Sequence, residues 1–237
     1  MRPGFKRAEL KSRYDVPLVN EDAWHAHSGS MTGRIVRNQL GQLTITPRRL
    51  LNAGAGCYEL TFPFWSEVLV DIFPTPLRKR DQSICANIEM LPFASSMFGC
   101  AVCVGEVLAY CDPALAISEF ARVLVPSGIL ICDFGNSRGI RFRGTAHFNR
   151  AADLITDYYN GSDERVWIYN PDYIKELLLS NNFDAVRIFG THTWSAIGRQ
   201  FGLSVDASLK IEKHLRWLKL PTDWSDLMTI VAIQKKT

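Results

Sequence analysis

The sequence predicts an α/β fold built on an open, doubly wound sheet. Short apolar runs alternate along the chain with segments whose apolar residues have helical spacing, and this alternation is typical of parallel strands joined by crossover helices. The runs are continuous, as expected of strands that are buried on both faces. A glycine-rich turn follows the first run, at the edge where such sheets bind ligands.

Seven strands follow from the apolar runs. They are predicted at 50–53, 68–71, 84–86, 101–104, 129–132, 186–189 and 227–233. Asp112 and Asn170 each precede a proline and an apolar helical pattern, which predicts helices that begin after these two residues. Further helices are predicted within 29–40 and over 205–218, the latter with an apolar face at Ile211, Leu215 and Leu218.

Composition excludes several classes of protein. Hydrophobic residues make up 47% of the chain and its net charge is +3, which fits a globular protein and does not predict nucleic-acid binding. No apolar stretch reaches the roughly 20 residues of a membrane span. The basic N-terminal segment lacks the apolar core of a secretory signal, so we expect a cytoplasmic protein without membrane association.

The cysteines predict buried thiols. Cys100 and Cys103 form a C-x-x-C within a predicted strand, where an odd spacing sends the two side chains to opposite faces. Neither these cysteines nor His25 and His27 have further partners at metal-ligand spacing. We therefore expect no metal site.

The glycine turn predicts a nucleoside site. Gly54 and Gly56 let the backbone turn tightly and approach a ligand. Asp71 ends the second strand 17 residues after Gly54, close to the ~20-residue spacing at which a carboxylate binds a ribose. The alternative role for Asp71 is to cap the turn that follows it.

The predicted ligand lacks phosphates. A dinucleotide site requires a full helix after the glycines and a third small residue. Glu59 occupies that third position, and Pro63 interrupts the short segment before the second strand. A nucleotide-dependent oxidoreductase is therefore disfavoured.

Several segments, in this order, resemble the class I S-adenosylmethionine-dependent methyltransferases, in particular those that act on small molecules. The segments are 50–56, 68–72, 87–93, 98–100, 105–108 and 120–128. The likeness covers residues 49–137 well and 165–235 loosely. Asn52 stands where the family usually has an acid, and Tyr58 replaces a glycine. The resemblance implies a Rossmann-like seven-stranded sheet, mostly parallel with an antiparallel last strand, and helices on both faces.

The resemblance also implies a site for S-adenosylmethionine, with S-adenosylhomocysteine as product. The implied cofactor-binding residues are Asn52, Ala53, Gly54, Gly56, Asp71, Ile72, Asn87, Ile88, Gly105 and Glu106. The first four would lie beside the methionine moiety and the ribose, Asp71 would bind the ribose hydroxyls, and Ile72, Asn87 and Ile88 would hold the adenine. Gly105 and Glu106 would flank the sulfonium. A turn role for Asn87 and a helix-cap role for Glu106 remain open.

Catalytic and acceptor residues are less specified by the sequence. His147, in the segment after the fifth strand, is the candidate general base, ahead of His192 and Tyr110. Tyr110, Arg143 and Trp194 are the candidate acceptor-binding residues. Loop residues of these types are also common on solvated surfaces and in packing.

The predicted organisation is an N-terminal helical cap over 1–46 and a methyltransferase domain over 47–237, with lid or substrate segments at about 136–165 and 191–222. The predicted reaction is transfer of a methyl group to an O, N or C atom of a small-molecule acceptor by in-line displacement. The alternative is a catalytically silent subunit that keeps the fold for binding or regulation. The oligomeric state stays open.

Overall fold

The computed structural model describes residues 23–43, 48–56, 60, 65–159, 162–215 and 217–235. Its strands are β1 (Arg49–Ala53), β2 (Ser66–Asp71), β3 (Ser83–Cys85), β4 (Phe98–Cys103), β5 (Leu124–Asn136), β6 (Ala152–Tyr159), β7 (Ser162–Tyr169), β8 (Phe183–Thr191) and β9 (Leu227–Gln234). Its helices are α1 (Ala23–Leu40), α2 (Pro113–Val123), α3 (Pro171–Ser180), α4 (Thr193–Gln200) and α5 (Val205–Leu215). None of these helices has the length and apolar character needed to cross a bilayer.

The sheet confirms the predicted α/β architecture. β3, β2, β1, β4 and β5 lie side by side and parallel, β9 pairs antiparallel with β5, and β8 pairs antiparallel with β9. These are the seven predicted strands, with an antiparallel last strand. The strand order reverses between β1 and β4, so the carboxyl ends of these strands border the crevice where open α/β sheets bind ligands.

A hairpin that the sequence does not predict is added to this sheet. β6 and β7 pair along their whole length, and β7 joins the sheet through Gly135 and Asn136 at the end of β5. The hairpin lies mostly within the predicted lid segment 136–165. Ile155 and Ile168 pack on Phe142 in a small separate cluster. Most other hairpin residues are polar, so the local pattern carries little apolar signal for a strand.

Helices cover both faces of the sheet. Val36 of α1 packs in one apolar cluster together with Cys100, whereas Phe120 of α2 packs in the other together with Cys103. The two cysteines therefore lie on opposite faces of β4, as their spacing predicts. The described part of the predicted cap is thus a helix packed on the sheet, while residues 1–22 and 44–46 of that cap lie outside the described residues.

Local signals at the helix ends are accurate in two cases and wrong in one. Asp112 and Asn170 cap α2 and α3, and each side chain accepts a hydrogen bond from the backbone two residues later. The predicted helix over 205–218, in contrast, ends at Leu215 and buries Ser208 and Glu212. Its predicted apolar face fails because the groups that this helix meets are themselves polar.

Candidate functional site

The glycine turn and Asp71 are in direct contact at the carboxyl ends of β1 and β2. The backbone N–H of Gly56 donates to Asp71 Oδ2 at 2.8 Å, and that of Phe73 donates to Oδ1 at 2.9 Å. The Asp71 side chain thus caps the turn that follows it, as the alternative interpretation has it, and also holds the glycine turn.

The two glycines serve different purposes. Both have positive φ, +73° at Gly54 and +50° at Gly56. A Cβ at Gly54 would lie 2.4 Å from a methyl carbon of Val107, whereas a Cβ at Gly56 would meet no described atom within 4 Å. The missing side chain at Gly54 therefore accommodates Val107, whereas none of the described atoms occupies the Cβ position of Gly56.

Asn52 is oriented by its neighbour on β2. Its Nδ2 donates to Glu67 Oε1 at 2.9 Å, and Glu67 also accepts the backbone N–H of Leu60. Asn52 and Ala53 are both buried, so Ala53 can reach a ligand only through its backbone. Ile72, just beyond Asp71, is half-buried and has exposed apolar surface.

Asn87 forms the turn that its alternative interpretation predicts. Its Oδ1 accepts the backbone N–H of Glu89 at 3.0 Å, and its Nδ2 donates to Glu89 Oε2 at 2.9 Å. Ile88 is buried in the core. Arg122 of α2 donates to the carbonyl oxygens of Leu91 and Phe93 and so anchors the segment to the domain. One lone pair of Asn87 Oδ1 remains for a ligand.

The turn after β4 is strained and is held by a buried carboxylate. Gly105 and Glu106 have φ values of +87° and +58°. Asp133 of β5 accepts both of their backbone N–H groups, at 3.0 and 2.7 Å. Burial raises the pKa of Asp133 to about 6, and burial together with Asp133 raises that of Glu106 to about 7. Non-glycine residues with positive φ concentrate at functional sites. Glu106 also occupies the N-cap position of the 3-10 turn Val107–Tyr110, but its side chain makes no capping hydrogen bond there.

A set of charged side chains surrounds this turn. We call Glu106, Asp133, Asp157 and Asp226, together with Arg141, the acidic cluster. Arg141 lies 3.0 Å from Asp157 and 3.9 Å from Asp226, measured from guanidinium nitrogen to carboxylate oxygen, and Glu106 interacts electrostatically with Asp133, Asp157 and Arg141. Asp133 and Asp226 are not among the residues that the sequence predicts for the site. An acid directly after the apolar run 129–132 was the available signal for Asp133, whereas no local pattern marks Asp226.

Comparisons with known proteins agree with this geometry. Residues 51–132 match the family model of a methyltransferase domain. This stretch, which runs from β1 into β5, is thus similar to a methyltransferase domain. The match and the fold support S-adenosylmethionine as its cofactor. A search of the curated proteins finds no significant match.

Solved structures show the same fold at low identity. The PH0226 protein of Pyrococcus horikoshii OT3 is 14% identical, with a TM-score of 0.62 over 98% of this chain and 100% of its own. The 1,6-didemethyltoxoflavin-N1-methyltransferase of Burkholderia thailandensis, with bound S-adenosylhomocysteine, is 15% identical, with a TM-score of 0.57 over 97% and 87%. The [4+2]-cyclase SpnF is 16% identical, with a TM-score of 0.55 over 86% and 81%.

The site fits the cofactor at several described positions. A Cβ at Gly56 or at Gly105 would meet no described atom within 4 Å. Asp71 supplies a carboxylate for the ribose hydroxyls, and Ile72 supplies apolar surface for a ring. Arg80 also reaches the glycine turn, where its guanidinium lies 3.5 Å from the Gly56 carbonyl oxygen.

The predicted base and acceptor residues are dispersed around the domain. His147 Nδ1 lies 2.9 Å from Asp153 Oδ2, and its side chain is 43% exposed; its described contacts belong to its own loop and β6. Arg143 stacks on the ring of Trp224 at 4.9 Å. Trp194 donates to the carbonyl oxygen of Leu218. Tyr110 is the predicted acceptor residue that lies beside the Gly105–Glu106 turn, at the end of the same 3-10 turn.

His192, the second candidate base, belongs instead to a buried hydrogen-bonded chain. Its Nε2 lies 2.7 Å from Ser28 Oγ, its Nδ1 lies 2.9 Å from Ser195 Oγ, and Ser195 bonds to Glu212. The ring of Trp24 stacks on the imidazole at 3.9 Å. Burial lowers the pKa of His192 to about 3, so the imidazole is neutral at physiological pH. This chain joins α1, α4 and α5 through polar contacts, which explains why α5 buries Glu212, while Ser208 is buried by its close packing on Gly198 of α4.

Proposed function

We propose that this protein transfers a methyl group from S-adenosylmethionine to an O, N or C atom of a small molecule. One observation carries the proposal: the contact between the glycine turn and Asp71, across the crevice from the turn after β4. The carboxyl end of β2 contributes the Asp71 carboxylate, that of β1 contributes the glycine turn, and that of β4 contributes the turn of Gly105 and Glu106. Ligands of open α/β sheets bind at these strand ends.

In this proposal each predicted residue acts through a specific group. Asp71 accepts hydrogen bonds from the ribose hydroxyls, and such charge-assisted bonds are stronger than neutral ones. Gly56 and the neighbouring backbone of Ala53 and Gly54 border the methionine moiety, while Asn52 orients the turn through Glu67. Those four residues and Asp71 thus form the ribose and methionine side of the site.

The adenine and methyl sides complete the site. Ile72 packs on the adenine ring, Asn87 Oδ1 accepts the amino group, and the Ile88 backbone donates to a ring nitrogen. Gly105 and Glu106 flank the sulfonium, whose positive charge complements the Glu106 carboxylate.

Catalysis in this scheme is mainly positioning. S-adenosylmethionine, when bound, supplies the activated methyl group. The protein holds the acceptor atom in line with the methyl carbon, and such alignment can contribute roughly 7–11 kcal/mol. His147, held by Asp153 through Nδ1, leaves its Nε2 to take a proton from a hydroxyl acceptor. Tyr110, Arg143 and Trp194 line the acceptor side in this proposal.

Three further proposals concern the segments that cover the site, the size of the acceptor and the location of the protein. In this proposal the described parts of the segments 1–46, 136–165 and 191–222 cover the acceptor site, because β7 joins β5 at its carboxyl end and His25 of α1 acts on Glu106. A small acceptor is favoured since the toxoflavin methyltransferase, whose fold this chain shares, acts on a small molecule. A cytoplasmic location is favoured by the buried thiols of Cys100 and Cys103.

A second candidate function is binding or catalysis without methyl transfer. The observation that favours it is the likeness to the [4+2]-cyclase SpnF, because it shows that proteins of this fold catalyse other reactions. Such a protein would bind S-adenosylmethionine or its product and release no S-adenosylhomocysteine with any acceptor.

Calorimetry and a turnover assay test the two functions. We expect S-adenosylmethionine to bind, NADH not to bind, and S-adenosylhomocysteine to be released in the presence of one class of acceptor. Glu176→Gln, on the exposed side of α3, is the control for substitutions in the site. Binding without turnover across O, N and C acceptors would favour the second candidate, and absence of binding would refute both.

A further inference from the structure

Asp133 holds two successive backbone groups of the turn after β4. Its Oδ2 accepts the N–H of Gly105 at 3.0 Å, and its Oδ1 accepts the N–H of Glu106 at 2.7 Å. Successive N–H groups that converge on one anion are a recognised anion-binding arrangement of the backbone. Here the anion belongs to the protein itself, because Asp133 lies on β5 and is only 1% exposed.

The turn adopts a backbone conformation that depends on this support. Gly105 and Glu106 follow each other with φ values of +87° and +58°, and glutamate rarely adopts a positive φ. Such strain persists only where the surrounding structure holds it in place. The Glu106 side chain makes no capping hydrogen bond to the 3-10 turn that follows. The two bonds to Asp133 are therefore the contacts that hold both backbone N–H groups in this conformation.

The end of β5 also accommodates the Glu106 side chain. Gly135 lies two residues after Asp133 and thus on the same face of the strand. A Cβ at Gly135 would lie 3.3 Å from Glu106 Oε1, so the glycine leaves room for this carboxylate. One strand end therefore holds both the backbone and the side chain of Glu106, the residue proposed to flank the sulfonium.

The ionised form of Asp133 is the one that accepts both bonds in full. The two backbone groups use different carboxylate oxygens, so a proton on either oxygen places an O–H donor against an N–H donor and weakens one bond. Burial raises the pKa of Asp133 to about 6, although both backbone bonds oppose the rise. Mild acid therefore protonates Asp133 and loosens the turn.

The titratable groups around Asp133 lie on β4, on β5 and in the turn itself. Burial raises the pKa of the Cys103 and Cys132 thiols, and the Asp133 carboxylate adds to the rise, so both thiols stay neutral in acid. Burial and then Asp133 raise the pKa of Glu106 to about 7. The further charged groups that act on Glu106 are His25 of α1, Asp157 of β6 and Arg141. Glu106 is thus the acid whose titration has to be separated from that of Asp133.

We propose that ionised Asp133 is a positioning residue of the cofactor site: it holds the turn of Gly105 and Glu106 against the methionine and methyl end of S-adenosylmethionine. This inference rests on the proposed function and adds to it a residue that acts through the backbone of the turn. Loss of the Asp133 charge should weaken binding of the methionine end of the cofactor and leave binding of its adenosine end unchanged.

Calorimetry with two ligands separates positioning from a general structural role. S-adenosylhomocysteine spans both ends of the site, whereas adenosine lacks the methionine end. We expect Asp133→Asn to weaken binding of S-adenosylhomocysteine at least tenfold and that of adenosine less than twofold, because asparagine places an NH2 group against one backbone N–H. Glu176→Gln on the exposed side of α3 should change neither affinity. Equal weakening of both ligands, or of neither, would overturn the proposal.

The pH dependence of binding tests the ionised state. The affinity of the parent protein for S-adenosylhomocysteine should fall threefold or more from pH 7.5 to pH 5.0, with a ceiling of about tenfold for one group whose pKa is about 6. The affinity of Asp133→Asn should stay level. Glu106→Gln should keep the decline, since this ligand lacks the sulfonium charge that Glu106 complements. A decline that disappears in Glu106→Gln and persists in Asp133→Asn would assign the effect to Glu106 and contradict the proposal.

Folding is checked on the same samples by thermal denaturation at each pH. If Asp133→Asn does not fold, the parent protein carries the test, because the decline in acid should appear with S-adenosylhomocysteine and be absent with adenosine. A parallel decline for both ligands would then refute the positioning role. If the parent protein binds neither ligand at any pH, the proposed function fails, and this inference fails with it.

Discussion

Mild acid should destabilise this protein through His192. The imidazole is 1% exposed, and both of its nitrogens lie within hydrogen-bond distance of serine hydroxyls. Burial lowers its pKa from 6.5 to about 3. Between these two values the unfolded chain binds a proton at this histidine and the folded protein does not. Stability is therefore fully present above pH 6.5 and is lost as the pH falls toward 3.

The size of the effect follows from the two pKa values. One pH unit within the window corresponds to about 1.4 kcal/mol. Integration from pH 7.5 to pH 5.0 with an unfolded pKa of 6.5 and a folded pKa of about 3 gives a loss of about 2 kcal/mol in the free energy of unfolding. His27, whose pKa burial also lowers, adds to the total loss in the parent protein.

His192→Asn isolates the contribution of this residue. Asparagine does not titrate, and it tolerates the positive φ of +62° at this position. Urea unfolding of parent and variant at pH 7.5 and 5.0 should show that the acid-induced loss is smaller in the variant by about 2 kcal/mol. His27 is present in both proteins and contributes to both losses. An equal loss in both proteins would refute the assignment of a neutral, buried imidazole.

Three further substitutions test the site and the fold. Asp71→Ala should weaken binding of S-adenosylmethionine in calorimetry by roughly tenfold or more, because it removes a charge-assisted acceptor; unchanged affinity would count against the ribose assignment. Gly54→Ala should lower the free energy of unfolding, measured in urea, by on the order of 2–3 kcal/mol, because the φ is positive and the new Cβ clashes with Val107. Gly56→Ala has the positive φ but its Cβ meets no described atom, so it should lower this free energy by only about 1 kcal/mol. Tyr169→Phe should lower stability by about 1 kcal/mol in urea unfolding, since it removes the buried bond to the Leu108 carbonyl oxygen at 3.0 Å; an unchanged midpoint would show that this bond contributes nothing.

The architecture was largely predictable because its signals are local. A strand buried on both faces is a continuous apolar run, and an N-cap such as Asp112 or Asn170 satisfies backbone groups within two residues of itself. The contact between the glycine turn and Asp71 was predictable for the same reason, since adjacent parallel strands bring their carboxyl ends together. The hairpin of β6 and β7 was missed because its residues are mostly polar and its pairing is stabilised by backbone bonds that leave no apolar pattern.

The chemistry of the acceptor side was decided by tertiary structure. Asp133 and Asp226 are far apart in sequence, and only the antiparallel register of β5 and β9 brings their chain segments to the same end of the sheet. Likewise, no residue close to His192 in the sequence indicates that Ser28 and Trp24 of α1 cover its imidazole. The sequence therefore predicts a possible base, whereas the folded protein holds this residue as a buried neutral group. The sequence by itself determined which segments are buried, because hydrophobic periodicity is a property of neighbouring residues. Only the tertiary structure decided which charges share one environment, because electrostatic interactions depend on distances in space and on burial.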